Sequence, residues 1–182
     1  GVRWYLLRDM PTGTDASYTP ERFLVRYEEL ANVLGNLASR ATSMIVKYRD
    51  GIVPDVGGAG LDEEIRATLD AVMRHMDELR VHDALASAMD LARTANGYVD
   101  RREPWAHAKD PERAGELDET LATLARALTV LTALFSPVTP ETMTDLARML
   151  GLDGVPPLEE AAAMSLAGRR VSKGIPLFPK PD

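Results

Sequence analysis

The stretch TPERFLVRYEELANVLGNLASRATSMIVKYRDG, residues 19–51, decides the fold class. Thr19 is a good helix N-cap and Pro20 suits the first helical position, where a missing N–H costs nothing. From there Phe23, Tyr27, Leu30, Leu34, Leu37, Ala41, Met44 and Tyr48 recur at spacings of four and three. That spacing predicts one long amphipathic helix packed along a bundle, ended by Gly51. On its N-terminal side, Pro11, Gly13, Asp15 and Ser17 make residues 10–18 a loop. On its C-terminal side, Pro54 and the glycines up to Gly60 make another. Leu61, Ile65, Leu69, Met73 and Met76 then mark a second helix, and a break is expected near Arg80 to Asp83. Leu85, Met89, Ala92, Ala95 and Val99 mark a third, stopped at Glu103-Pro104 because a residue before proline avoids the helical region. A fourth is expected from about Glu116 to Phe135, carrying Leu117, Leu121, Leu124, Leu128, Leu131 and Leu134 on one face. Pro137 and Pro140 separate it from a fifth, from about Glu141 to Leu150. Beyond Gly151, glycine and proline interrupt every potential element, so an extended tail is expected, tied to the bundle by Leu177 and Phe178. No strand pattern occurs. The expectation is an all-α antiparallel bundle of about five helices with an extended Pro/Gly-rich C-terminal tail.

Composition excludes several function classes. The 182 residues carry 28 acidic and 21 basic side chains, a net charge of −7, which disfavours broad charge-driven binding of polyanions but leaves room for a small local nucleic-acid site. Absence of cysteine removes disulfides, thiol catalysis and thiolate zinc sites. No apolar run reaches the roughly 18 residues of a membrane span, and no secretory leader opens the chain, so a cytoplasmic protein is expected. Gly1 is not methionine, and Val2 to Arg8 reads as a helix with no capping residue before it, so the chain is expected to belong to a longer polypeptide. The expected organisation is a linker helix and loop at 1–18, the bundle at 19–150 and the tail at 151–182.

Enzyme signatures are scarce: there is no phosphate-cradling glycine loop and no Gly-x-Ser-x-Gly elbow. His75, Glu78 and His82 are spaced three and four apart, which could align a metal site on one helix face, but the break near Arg80 separates them and no metal is expected. Two places break local rules. Gly35-Asn36 lies inside the long helix, where glycine costs roughly 1 kcal/mol against alanine, which suggests close approach of another element. Asn36 and Arg40, four apart, share a face beside the apolar stripe and together form an array of donors and acceptors. That array suits base edges, and equally an idle surface pair. Pro104-Trp105 follows the third helix, with Arg101, Arg102 and Lys109 around it. An exposed Trp105 would be a base-stacking platform, while a buried one would be core.

Asn36-Leu37-Ala38-Ser39-Arg40, then Asn96-Gly97-Tyr98-Val99-Asp100, then Glu103-Pro104-Trp105-Ala106-His107-Ala108-Lys109, resemble in order and spacing the anticodon-binding domain of methionyl-tRNA synthetases. Arg3-Trp4-Tyr5-Leu6-Leu7-Arg8 looks like the stretch that follows that family's KMSKS loop. Gly13-Thr14-Asp15 continues the match, and Gly174-Ile175-Pro176-Leu177-Phe178-Pro179-Lys180 is similar to the closing motif of the core enzyme. The resemblance implies recognition of the CAU anticodon of tRNA(Met) inside an ATP-dependent methionine–tRNA ligase. It places anticodon reading on Asn36, Arg40, Pro104 and Trp105, with Trp105 on the wobble cytosine, and phosphate contacts on Arg101, Arg102 or Lys109. Asn96 and Tyr98 match a motif that would hold the third helix and the Pro-Trp loop. The HIGH and KMSKS motifs are not in this chain, so it alone should be inactive. ATP with magnesium, and any zinc, belong to the catalytic domain of the same polypeptide. Neither DNA nor a membrane is an expected partner. The alternative is a free-standing helical RNA- or protein-binding module without ligase activity.

Overall fold

A computed structural model describes residues 1–10, 13, 15 and 17–179; Pro11, Thr14, Lys180 and Pro181, to which the loop, tail and family readings extend, lie outside the described residues. The helices are α1 (Val2–Asp9), α2 (Pro20–Glu29), α3 (Asn36–Arg49), α4 (Asp62–Asp77), α5 (Val81–Arg102), α6 (Pro104–His107), α7 (Ala114–Phe135), α8 (Pro140–Met149) and α9 (Leu158–Ala163). Thr19 caps α2 as expected, its hydroxyl accepting from the Arg22 N–H at 3.3 Å. The other predicted helices appear with shifted ends. The break between α4 and α5 falls at 78–80, where Leu79 takes φ +57°, and not at Arg80 to Asp83.

The long helix runs from Pro20 to Arg49 without interruption, but Leu30–Gly35 is wound as a π-helix. Its wide turn is closed by the Asn36 N–H bonding back to Ala31 O, five residues earlier. The unbroken four-three stripe therefore does not hold downstream. Taking up one extra residue turns α3 so that Ala38, Ala41, Thr42 and Ile45 face the core, while Met44 and Tyr48 are only half buried. Gly35 meets the predicted close approach: a Cβ there would lie 3.3 Å from the Phe178 ring of the C-terminal tail.

At the centre of the bundle, α7 is buried on almost every face. Its threonines satisfy themselves inside the apolar core by donating to carbonyls one turn back, as Thr129 does to Ala125 O at 3.0 Å and Thr132 to Leu128 O at 2.7 Å. α1 packs on α2 and α5. Its Trp4 is fully buried, with rings 5.6 Å from Phe135 and Nε1 donating to Arg26 O at 2.9 Å. The loop before α4 folds onto α7: Gly58, at φ +63°, and Ala59 donate their N–H groups to the Glu119 carboxylate.

The tail is less extended than expected, because it contains α9. After α9, residues 168–171 pair with 51–53 through Val53 N–H to Arg169 O (3.0 Å) and Val171 N–H to Gly51 O (2.7 Å), giving one antiparallel bridge, Ile52 with Arg170. Among the described residues there are no strands. Residues 173–179 then cross the π-wound turn as a strap, and the Tyr27 hydroxyl donates to Pro179 O at 2.6 Å.

Candidate nucleic-acid interface

Two rungs join α3 to α5. Asn36 and Arg40, one turn apart, face Asn96 and Asp100, also one turn apart. Equal offsets of 60 residues show that the two helices run in the same direction here, with α4 as the return.

The upper rung fixes the polarity of an amide. Asn96 Nδ2 donates one proton to Val33 O at 3.0 Å, in the π-wound turn, and the other to Ala92 O at 3.1 Å. With both N–H groups spent, its Oδ1 can only accept, and it does so from Asn36 Nδ2 at 3.2 Å. Asn36 is exposed, and among the described residues its own Oδ1 and second N–H are left for a ligand. In the lower rung, Arg40 Nη2 meets Asp100 Oδ1 at 2.6 Å. The Arg40 side chain is 29% exposed and the carboxylate 65%, so the pair holds the guanidinium in place while adding little stability, about 0–1 kcal/mol.

At the end of α5, Glu103 takes φ +44° and throws the chain into α6, with Pro104 at its first position. Pro104 and His107 turn inward and are buried, which leaves Trp105 pointing out, 40% exposed. Burial, followed by the nearby Arg113, holds the His107 imidazole below its ordinary pKa, against the pull of Glu116. Its Nε2 lies 3.6 Å from Glu116 Oε2, and its buried Nδ1 has no partner among the described residues. Trp105 and Arg40 line one pocket of about 340 Å³ together with Ser39, Met44, Lys47 and Tyr48. Met44 and Tyr48 are the side chains that the π-wound turn rotates off the core. Asn36 lies on the other side of Ser39, in a groove of about 380 Å³ closed by the strap.

Thus Asn36, Arg40 and Trp105 come together on one exposed face, and Pro104 acts beneath it. The three expected phosphate contacts differ. Arg101 and Lys109 are exposed. Arg102 is engaged with α7, donating through Nε to Thr120 Oγ1 at 3.2 Å. His75 is near the end of α4 and His82 in the first turn of α5, so they do not share a helix face; among the described residues no three His, Asp or Glu gather as metal ligands. The sequence reading gave Asn96 a holding role without seeing that it orients Asn36, and it missed Asp100 and Ser39. Asn96-Gly97, two poor helix formers inside α5, was the available signal.

The fold is a helical bundle in which a parallel pair of helices carries an amide and a guanidinium beside an exposed indole, and this chain belongs to the anticodon-binding domains of tRNA ligases, whose family model matches residues 61–164. The relatives are narrower in kind. The chain is 38% identical over 189 residues to the methionine–tRNA ligase of Deinococcus radiodurans and 37% over 195 residues to that of Lactiplantibacillus plantarum; both alignments cover all of this chain. It spans 28% of the length of each. The apo crystal structure of Mycobacterium tuberculosis methionyl-tRNA synthetase matches the whole chain with a TM-score of 0.92 and 30% identity, over 38% of that protein. The same enzyme bound by methionyl-adenylate matches 98% of the chain at 0.90 and 31% identity, over 37% of its own length.

Proposed function

We propose that this chain reads the CAU anticodon of tRNA(Met) within a methionine–tRNA ligase, which joins methionine to its tRNA using ATP. The observation that carries the reading is the shared pocket of Arg40 and Trp105 beside an Asn36 whose amide polarity is imposed by Asn96. The indole face takes the wobble cytosine by stacking, a contact that contributes about 1–3 kcal/mol. The oriented amide and the guanidinium fork take the edges of anticodon bases splayed out of their stack, as single-stranded RNA is read. Pro104 fixes the turn that presents Trp105. Arg101 and Lys109 are exposed and take phosphates, whereas Arg102 serves first as a tie to α7. Methionine activation belongs to a catalytic domain of the same polypeptide, with its ATP, magnesium and any zinc, in the cytoplasm. Among the described residues, no helix is long and apolar enough to cross a membrane.

The test is a titration of this chain, at low salt, against stem-loops bearing CAU and bearing the same anticodon with its cytosine replaced. The expected result is a CAU preference that Trp105→Ala abolishes, with a shallow salt dependence because few phosphates are neutralised. Equal binding of both loops by the unaltered chain would refute the reading.

A further inference from the structure

Resting on the anticodon reading above, we infer that His107 is a positioning residue for Trp105. It holds α6 on α7 only while its imidazole is neutral, so acid opens the turn and takes the indole away from Arg40.

The first ground is how little else holds the platform. α6 is a single turn of four residues, too short to be stable by itself. Pro104 and His107, three apart, share its inner side and are its buried residues, with α7 as the element they pack on. Trp105 stands about 200° around the turn from His107 and projects outward. The other residues lining the Trp105 pocket all come from α3, so a tilt of α6 parts the indole from the guanidinium.

The second ground is the choice of residue. At 3% exposure an apolar side chain would serve, yet the position carries an imidazole with no hydrogen bond to either nitrogen among the described residues. Nδ1 is buried without a partner, and the 3.6 Å between Nε2 and Glu116 Oε2 is beyond hydrogen-bonding range. A neutral ring leaves one N–H unmet there; a protonated ring would leave two, with a charge.

The third ground is that no counter-charge is available. Four charged groups face the ring: Arg102 and Glu103 from the end of α5, Arg113 from the turn before α7, and Glu116 from α7. They are two cations and two carboxylates, and Glu116 is already taken. Both of its oxygens accept from Arg113, through Nε and Nη2 at 3.0 Å each, and Arg102 Nη2 stands 3.8 Å away. Burial therefore decides, and it keeps the imidazole below its ordinary pKa. Freed from α7, the same ring titrates at about 6.5, so the open turn takes up a proton that the closed turn refuses. The closed turn is fully favoured above that pH and loses ground as pH falls below it. A one-turn element opens far more cheaply than the bundle unfolds, so the platform gives way first.

The experiment titrates labelled CAU and cytosine-replaced stem-loops with this chain, by fluorescence anisotropy at constant ionic strength, from about pH 7.5 to about pH 5, a range that brackets an ordinary histidine. His107→Leu and His107→Ala are compared with the unaltered chain; His75 and His82 remain in all three, and the RNA is common to all. The unaltered chain should lose CAU affinity about threefold or more across the range, mostly below about pH 6.5. His107→Leu keeps an apolar body of similar size and cannot be charged, so it should match the unaltered chain at the upper pH and hold that affinity at the lower. His107→Ala should bind CAU weakly throughout, since the packing is lost at every pH. Acrylamide quenching gives a readout without RNA. Trp4 is fully buried, so the quenched signal is that of Trp105. Quenching should rise on acidification in the unaltered chain and not in His107→Leu. A flat profile in the unaltered chain, the same acid loss in His107→Leu, or full affinity in His107→Ala would each overturn the inference and leave anticodon reading standing. If His107→Ala does not fold, the other two chains decide. An unaltered chain that does not distinguish the two loops at the upper pH would refute the anticodon reading instead, and quenching would still decide whether His107 holds the turn.

Discussion

Replacing Asn96 by alanine separates the polarity of the site from its composition, because among the described residues the Asn96 amide hydrogen-bonds to Asn36 and two backbone carbonyls alone. Two hydrogen bonds to Val33 O and Ala92 O are lost, at about 0.5–1.5 kcal/mol each. Alanine returns up to about 0.7 kcal/mol of helix propensity within α5. The net cost is about 1–2 kcal/mol, and for a chain of this size that lowers the thermal midpoint by roughly 2–8 °C. The bundle therefore stays folded at room temperature. Without Asn96 Oδ1 to receive its N–H, the Asn36 side chain is free to leave its rotamer as well as to turn its amide over, so its base contact is no longer preorganised and is lost or weakened. CAU affinity should fall about tenfold, within the range of one base contact, while binding to loops of other sequence changes little. A double-mutant cycle makes the test strict. Asn36→Ala should cost much less in the Asn96→Ala background than in the unaltered chain, giving a coupling above about 1 kcal/mol. Costs that add within about 0.5 kcal/mol would refute orientation by Asn96, since independent sites behave that way.

Three other perturbations probe the scaffold. Trp4→Ala should destabilise the chain by about 3–5 kcal/mol in denaturant unfolding, because it empties a fully buried site against Phe135 and removes the donor to Arg26 O; a loss below 1 kcal/mol would mean that α1 is not part of the core. Gly58→Ala should lower the thermal midpoint clearly, since φ is +63° there and a Cβ would stand 2.9 Å from the α7 backbone at Ala122; an unchanged midpoint would count against that packing. His107 titrates below its unfolded value because burial opposes its charge. The unfolded chain therefore takes up the proton first as pH falls, so the His107 contribution is fully present above about pH 6.5 and is lost progressively below it. His107→Gln should flatten that part of the stability–pH curve, and an unaltered curve would reject the assignment.

Much of the bundle is legible in the sequence because long helices advertise themselves through apolar spacing, and Thr19-Pro20 and Glu103-Pro104 mark their ends by simple steric rules. The π-wound turn left no such mark. Leu30–Gly35 has ordinary helical spacing, and its extra residue shows only in which later side chains are buried, Thr42 and Ile45 in place of Met44 and Tyr48. Helix α9 was hidden by the prolines around it, although Leu158 to Ala163 is made of good helix formers. In the site, Asn36 and Gly35 stood out because each is a poor choice inside a helix. The partners Asn96 and Asp100 could not be paired with them from spacing alone, because a contact across 60 residues depends on the length of the α4 return. The strap groove was illegible for the same reason: it joins residues 32–39 to residues 173–178 through the fold alone.

The wide turn at Leu30–Gly35 also says something about length. It holds one residue more than an α-helix would need to connect α2 to α3, and it absorbs that residue locally instead of passing it on as rotation. Removing one exposed residue there, Asn32 for example, lets the turn relax to ordinary winding with Ala38, Ala41 and Ile45 still directed inward. The same deletion a few residues later, within α3, turns everything beyond it by about 100° and sends the apolar face into solvent. The helix thus has a place where its length is negotiable, and that place lies directly under the strap and ends at the residue before Asn36.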